Sequence, residues 1–217
     1  MTMNLFDRVD GAEPSGEPLR PGAVLLRGFA LRSAASCLGA LRALTAQAPF
    51  RHMVTPGGLR MSVGMTNCGG LGWISDSTGY RYSPTDPESG KPWPQMPDCF
   101  SRLATDAAAS AGFSGFHPDA CLINRYEVGS RLSLHQDKDE KDFTAPIVSV
   151  SLGMPAVFQL GGFKRADRPL RLPVEHGDVL VWGGSARLLF HGIMPLKQGL
   201  HAVLGAYRVN LTFRKAG

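Results

Sequence analysis

The sequence predicts a mainly β protein of the α+β class, a sandwich or jelly roll with helices covering one face of a sheet. Three observations carry this expectation. After Pro118 the chain is almost entirely short runs of strand-forming residues separated by turn residues. A total of 26 glycines and 16 prolines in 217 residues gives a turn-rich composition that disfavours a helical bundle. Only two stretches show helical periodicity. The length and a 43% hydrophobic content suffice for one domain with its own core.

Taken in order, residues 1–20 are rich in Gly, Pro and acidic residues, lack periodicity and read as a flexible N-terminal arm. The remainder, 21–217, reads as a single domain. Ser33 is placed to cap a helix whose Ala34, Cys37, Leu38 and Leu41 form one apolar stripe. From about 50 to 97 the text changes to PGG, NCGG, STGY, SPTDP and SGKPWP, hairpin and loop territory with the composition of binding loops. A second helix follows through Phe100, Leu103, Ala104 and Ala107, and Gly112 ends it. The strands then come as ACLINRY, IVSVSLG, AVFQLGG, DVLVWGG, RLLFHGI and YRVNLTFR, the core of the fold at about 118–217. The uncharged stretch from Phe143 to Phe163 contains Pro146, Pro155, Gln159 and a Gly pair, so it reads as two strands and a turn rather than a membrane span.

A formal net charge of +5 suits an anionic partner without the dense basic clusters of an architectural DNA-binding protein. Four cysteines, Cys37, Cys68, Cys99 and Cys121, are widely spaced and form no CxxC pair, which argues against a zinc knuckle or a disulfide framework. The first residues carry acidic groups and no apolar core of a secretory signal, so the expected compartment is the cytoplasm.

The sharpest chemical signal is His135-Gln136-Asp137, because residues i and i+2 of an extended chain share a face. A lone HxD is common and needs a third ligand. His191 is the best candidate: in an apolar strand an unpartnered imidazole costs about 1 to 3 kcal/mol, although a core histidine bonded to backbone is the competing structural reading. Two His and one Asp make the facial triad of non-haem Fe(II) oxygenases; zinc in a hydrolase uses similar ligands. On the last strand Arg208, Asn210, Thr212 and Arg214 alternate with Tyr207, Val209, Leu211 and Phe213. That doubly basic face either meets solvent or binds a dicarboxylate, which guanidinium matches bidentately.

These residues, with LINRY, SVSLG, HGDVLVWGG and the RxNLTFR tail, and with MTNCG and GYRYSP upstream, resemble the AlkB-type Fe(II)/2-oxoglutarate dioxygenases that repair alkylated nucleic acid. The resemblance spans nearly the whole chain after the arm. It implies a double-stranded β-helix (jelly roll) core with flanking helices, and a substrate-recognition lid at about 50–97. It implies that His135, Asp137 and His191 bind Fe(II). Asn124, Tyr126, Arg208, Asn210 and Arg214 would hold 2-oxoglutarate, Arg214 on the distal carboxylate and Arg208, counted among the catalytic residues, closer to the metal. Val209 stands where a close bacterial relative has a tyrosine, on the opposite face.

For substrate, the resemblance implies that Trp73 stacks on the damaged base, that Tyr80 and Tyr82 reach the nucleotide backbone, and that Asp139 contacts a cationic methylated base. Arg165 is expected at phosphate or base edges, ahead of Arg131. Taken alone, Trp73 and Tyr80 read as packing residues and Asp139 as part of a solvated charge run. His176 reads as a turn residue and not a ligand, Trp182 as pocket wall or core, and Met61 and Met65 as lid or core. Cys68 has no visible partner.

The implied reaction is oxidative demethylation of bases of the 1-methyladenine and 3-methylcytosine type, using Fe(II), 2-oxoglutarate and O2 and releasing succinate, CO2 and formaldehyde. The expected partner is alkylated DNA, preferentially single-stranded because the base must leave its stack, with duplex DNA and RNA as further substrates. No membrane and no obligate interface are expected, so the protein is read as a monomer. Two alternatives stay open: a dioxygenase acting on RNA or protein, and a cupin-like metal-binding module without oxygenase activity.

Overall fold

A computed structural model describes residues 16–217. Most of the stretch read as an arm, residues 1–15, lies outside the described residues. Its last five residues differ from expectation: Gly16–Arg20 form β1, paired antiparallel with β2, Ala23–Leu26.

The other strands are β3 (Gly64–Gly69), β4 (Gly72–Asp76), β5 (Gly79–Ser83), β6 (Ala120–Tyr126), β7 (Leu132–His135), β8 (Ile147–Gly153), β9 (Ala156–Leu160), β10 (Leu170–Val174), β11 (Val179–Trp182), β12 (His191–Ile193) and β13 (Arg208–Arg214). Seven make an antiparallel sheet in the order β1-β2-β11-β8-β13-β6-β3, four make a second in the order β10-β9-β12-β7, and β4-β5 is a separate hairpin. The large sheet thus recruits β1, β2 and β3 from upstream of 118. β7 and β10 were absent from the strands read in sequence; β10 contains Pro173, which is tolerated because β10 is an edge strand. RLLFHGI contributes only its last three residues, since Arg187 and Leu188 belong to a turn that follows the 3-10 helix Gly184–Ala186.

Two helices, α1 (Ala34–Gln47) and α2 (Asp98–Ser110), pack on the outer face of the large sheet. The α1 stripe is buried as expected, with Leu44 added. Ser33 sits at the N-cap position but does not cap, because its hydroxyl donates to the Ala30 carbonyl instead. Gly112 follows α2 at φ +88°, a backbone state only glycine adopts freely.

Period-two alternation sorts each strand of the large sheet into an oily and a working face. Val148, Val150, Val209, Leu211, Phe213, Cys121 and Ile123 meet the helices. Their neighbours point between the two sheets, where Leu25, Ile147, Phe158, Leu160, Trp182 and Ile193 form a second core. All seven β13 residues are buried. The polar face of β13 therefore lies inside the protein, and the solvent alternative is excluded. Cys68 faces Cys121 across the β3–β6 pair, yet all four thiols are free. Met65 belongs to the inner core, Met61 packs on it, and Trp182 lines it.

Candidate active site

His135 ends β7 and His191 opens β12, and the two are register partners, which sets their rings 4.4 Å apart. Close approach of the strands needs Gly192: a Cβ there would lie 2.7 Å from the Leu132 carbonyl oxygen. Asp137 follows β7, with Oδ1 3.7 Å from His135 Nε2 and Oδ2 3.7 Å from His191 Nε2. One ligand atom from each of the three lies within 4.8 Å of the others.

Each imidazole is oriented by its other nitrogen. His135 Nδ1 lies 2.8 Å from the Ser133 carbonyl and His191 Nδ1 3.1 Å from that of Leu189. A carbonyl only accepts, so Nδ1 of each ring donates and Nε2 is the nitrogen turned toward the Asp137 carboxylate. Burial, reinforced by His135, pushes the His191 pKa down to about 3, so its ring is neutral. Burial alone raises the Asp137 carboxyl, but the Arg214 guanidinium and the two histidines outweigh it and hold the group well below the usual carboxylate range. Trp182 and Phe158 wall the far side, their rings 4.9 and 6.0 Å from that of His191.

The arginine pair is arranged opposite to expectation. Arg214 Nε donates to Asp137 Oδ2 at 2.8 Å and also approaches Glu140 at 3.3 Å, so Arg214 stands beside the triad. Arg208 is the remote one, six residues earlier on the same strand. It is only 1% exposed, its guanidinium lies over the Tyr126 ring at 5.6 Å, and its Nε and Nη1 have no hydrogen-bond partner. Burial lowers its pKa. The buried Asn124 Oδ1 is likewise unpartnered. A desolvated guanidinium without a counterion beside buried polar groups fits an anionic ligand, since isolated buried charge is otherwise costly. Asn210 presents no free atoms: its amide donates to Ser149 Oγ and the Val150 carbonyl, and its Oδ1 accepts from Thr212.

The β4-β5 hairpin brings Trp73 and Tyr80 into parallel stacking at 5.6 Å. Trp73 Nε1 donates to Asp139 Oδ2 at 2.8 Å, so three residues singled out for substrate meet. Tyr82 differs from expectation: its hydroxyl turns inward and donates to Glu140 Oε1 at 2.7 Å. Arg165 is exposed, with its guanidinium 5.5 Å over the ring of Phe190, the neighbour of His191. Arg131 is exposed and tied through its backbone to Ser62. His176 is no ligand here, its Nδ1 accepting from Gly153 N.

Three residues escaped the sequence reading. Buried Asn67 clamps Trp73, accepting from its backbone N–H and donating to its carbonyl. Glu140 joins Tyr82, Arg214 and Arg187, and Arg187 carries three contacts of its own. Glu140 lay in a charge run and in the HQDKDE motif that shares in the resemblance, but no role was read from it, and Arg187 carried no signal.

The model of the 2OG-Fe(II) oxygenase superfamily matches residues 22–214. The chain is 58% identical to alpha-ketoglutarate-dependent dioxygenase AlkB of Escherichia coli over 98% of this chain and 99% of that one. It is 46% identical to an AlkB homolog of Caulobacter vibrioides over 78% of this chain and 76% of that one. The solved structure of OsALKBH1 superposes with a TM-score of 0.82 at 30% identity, covering 93% of this chain and all of that one.

Proposed function

The chain belongs to the 2OG-Fe(II) oxygenase superfamily and, within it, to the AlkB-type dioxygenases, and from that premise we propose how its residues divide the work of demethylating alkylated bases in nucleic acid. When bound, Fe(II), 2-oxoglutarate and O2 supply the oxidising power that hydroxylates the N-methyl carbon, with succinate and CO2 formed and the methyl group leaving as formaldehyde. The observation that carries the reading is the His135, Asp137 and His191 cluster together with a buried Arg208 that has no salt-bridge partner among the described residues.

His135, Asp137 and His191 would hold Fe(II) through two imidazole nitrogens and one carboxylate oxygen. Arg214 keeps Asp137 ionised and oriented. Arg208, with Asn124 and Tyr126 beside it, receives the distal carboxylate of 2-oxoglutarate, and Arg214 serves the metal-side end. Asn210 supports the pocket indirectly through Ser149 and Thr212. Trp73 and Tyr80 provide the aromatic surface for the extruded base, and Asp139 offers a carboxylate to a ring made cationic by methylation. Tyr82 braces the hairpin against Glu140, and Arg165 serves the strand at the rim.

The need to extrude the base supports single-stranded DNA as the preferred substrate. One inner core shared by β2, β6, β8, β9, β11 and β12 supports a single domain, with the segment at about 50–97 as its lid. Four free thiols support a reducing compartment, the cytoplasm. No described helix is long and apolar enough to cross a membrane.

The test is mass spectrometry of a short single-stranded DNA carrying 3-methylcytosine, incubated with protein, Fe(II), ascorbate and 2-oxoglutarate, with succinate assayed in parallel. Loss of one methyl mass only in the complete mixture, abolished by His135→Ala, is the expected result. Succinate without methyl loss moves the substrate to RNA or protein. Neither product from folded, iron-loaded protein refutes the reading in favour of a binding module.

A further inference from the structure

Arg187 is a fully enclosed arginine that the chemistry above leaves unused. It follows a one-turn 3-10 helix, Gly184–Ala186, and precedes His191 by four residues. Its guanidinium reaches out of that element onto another. Nη1 donates to the Asp137 carbonyl at 2.8 Å, Nε donates to the Ala145 carbonyl at 3.1 Å, and Nη2 lies 3.0 Å from Glu140 Oε2. The same group lies 5.3 Å over the Phe143 ring.

The four contacts fall at the start, the middle and the end of one segment, residues 137–145, which forms neither helix nor strand. The segment carries Asp137 and Asp139 two residues apart, and Trp73 meets it at Asp139. Its described backbone bonding is sparse, Lys141 N donating to the Ala216 carbonyl at 3.3 Å. A loop without a ladder holds its side chains only as well as its few anchors allow. A planar fork of donors fixes both the position and the orientation of what it grips, whereas an ammonium fixes only a distance.

We propose that Arg187 is a positioning residue that sets Asp137 and Asp139 relative to the histidine-bearing element. The inference rests on the roles given above to those two carboxylates. Arg187 touches neither substrate nor metal. It acts through the backbone of Asp137 and the side chain of Glu140, so that the carboxylate at the triad and the carboxylate at the aromatic pair are registered to the same group. If Arg187 merely neutralised Glu140, any cation would serve.

The experiment compares wild type with Arg187→Lys and Arg187→Met, with folding checked by thermal melting. In metal-free protein, fluorescence anisotropy measures affinity for a labelled pentanucleotide with and without a central 3-methylcytosine. Mn(II) titration followed by electron paramagnetic resonance measures the triad separately. Both variants are expected to lose about tenfold of the preference for the methylated strand and about tenfold in Mn(II) affinity. A folded Arg187→Lys protein that keeps either property at the wild-type level overturns the inference, because one residue would then not set both carboxylates. Should Arg187→Met fail to fold, Arg187→Lys decides alone. Asp139→Asn serves as the control: if it leaves the methyl preference intact, the base-contact reading fails and the inference falls with it. If Asp139→Asn removes the preference and Arg187→Lys does not, only the positioning role is refuted.

Discussion

Replacing Arg208 with methionine should make the ligand-free protein more stable and the cosubstrate site useless, a pair of opposite signs that few mechanisms produce. Arg208 is fully enclosed, two of its nitrogens lack any partner, and burial drives its pKa down, so the folded chain bears the cost of a desolvated charge. Methionine keeps most of the aliphatic stem and removes that charge. Exchange of buried ionic groups for apolar ones of similar volume commonly stabilises by about 1 to 4 kcal/mol, and the lower half of that range is expected for one side chain. With 2-oxoglutarate bound, the account reverses. Its carboxylate would then be a buried charge facing a thioether, and removal of one partner from such a pair costs about 3 to 5 kcal/mol. That corresponds to a loss of roughly two to four powers of ten in affinity. Urea denaturation of metal-free protein reads the first effect, and calorimetric titration of 2-oxoglutarate into Mn(II)-loaded protein reads the second. A destabilised apoprotein, or a dissociation constant within threefold of wild type, would refute the reasoning that Arg208 is a counterion in waiting.

Two further outcomes follow from the site. Trp73→Ala should weaken binding of methylated single-stranded DNA by about 1 to 3 kcal/mol while leaving Mn(II) affinity unchanged, as measured by anisotropy and metal titration; a parallel loss of metal would show that the hairpin supports the triad instead. The metal-free protein should lose stability on mild acidification, because the His191 pKa is lowered by burial from 6.5 to about 3. Between those two values the unfolded chain binds the proton and the folded one does not, so stability falls with falling pH by about 1.4 kcal/mol per unit below 6.5. His176, also lowered by burial, adds in the same direction. Urea midpoints at pH 6.5 and 5.5 check this, and an unchanged midpoint excludes a neutral buried His191.

Much of the site was legible because it is written in alternation. The four polar residues of β13 announced themselves by period two, which the backbone enforces wherever a strand forms, and the HxD spacing drew attention to Asp137 although it lies just past the end of β7. The helices were legible for the same reason at a period of 3.6. Shorter pieces were less so. β10 is an edge strand containing Pro173 and β7 is four residues long, so neither gives enough alternation to be recognised apart from its partners, while β12 is only the last three residues of the apolar run RLLFHGI. The inward turn of Tyr82 was hidden because Tyr80 and Tyr82 are equivalent by spacing, and only Glu140, 58 residues away, distinguishes them.

By itself, the sequence determined which residue types share a strand face, the four polar residues of β13 among them. It could not say which end of β13 meets the His135, Asp137 and His191 cluster. Both arginines sit on one face of one strand, and strand periodicity is indifferent to direction. That choice was made by how the two sheets face each other, which brings Asp137 to Arg214 and leaves Arg208 without a salt-bridge partner beside Tyr126. Long-range ion pairing depends on distance through space, which alternation along a chain does not encode.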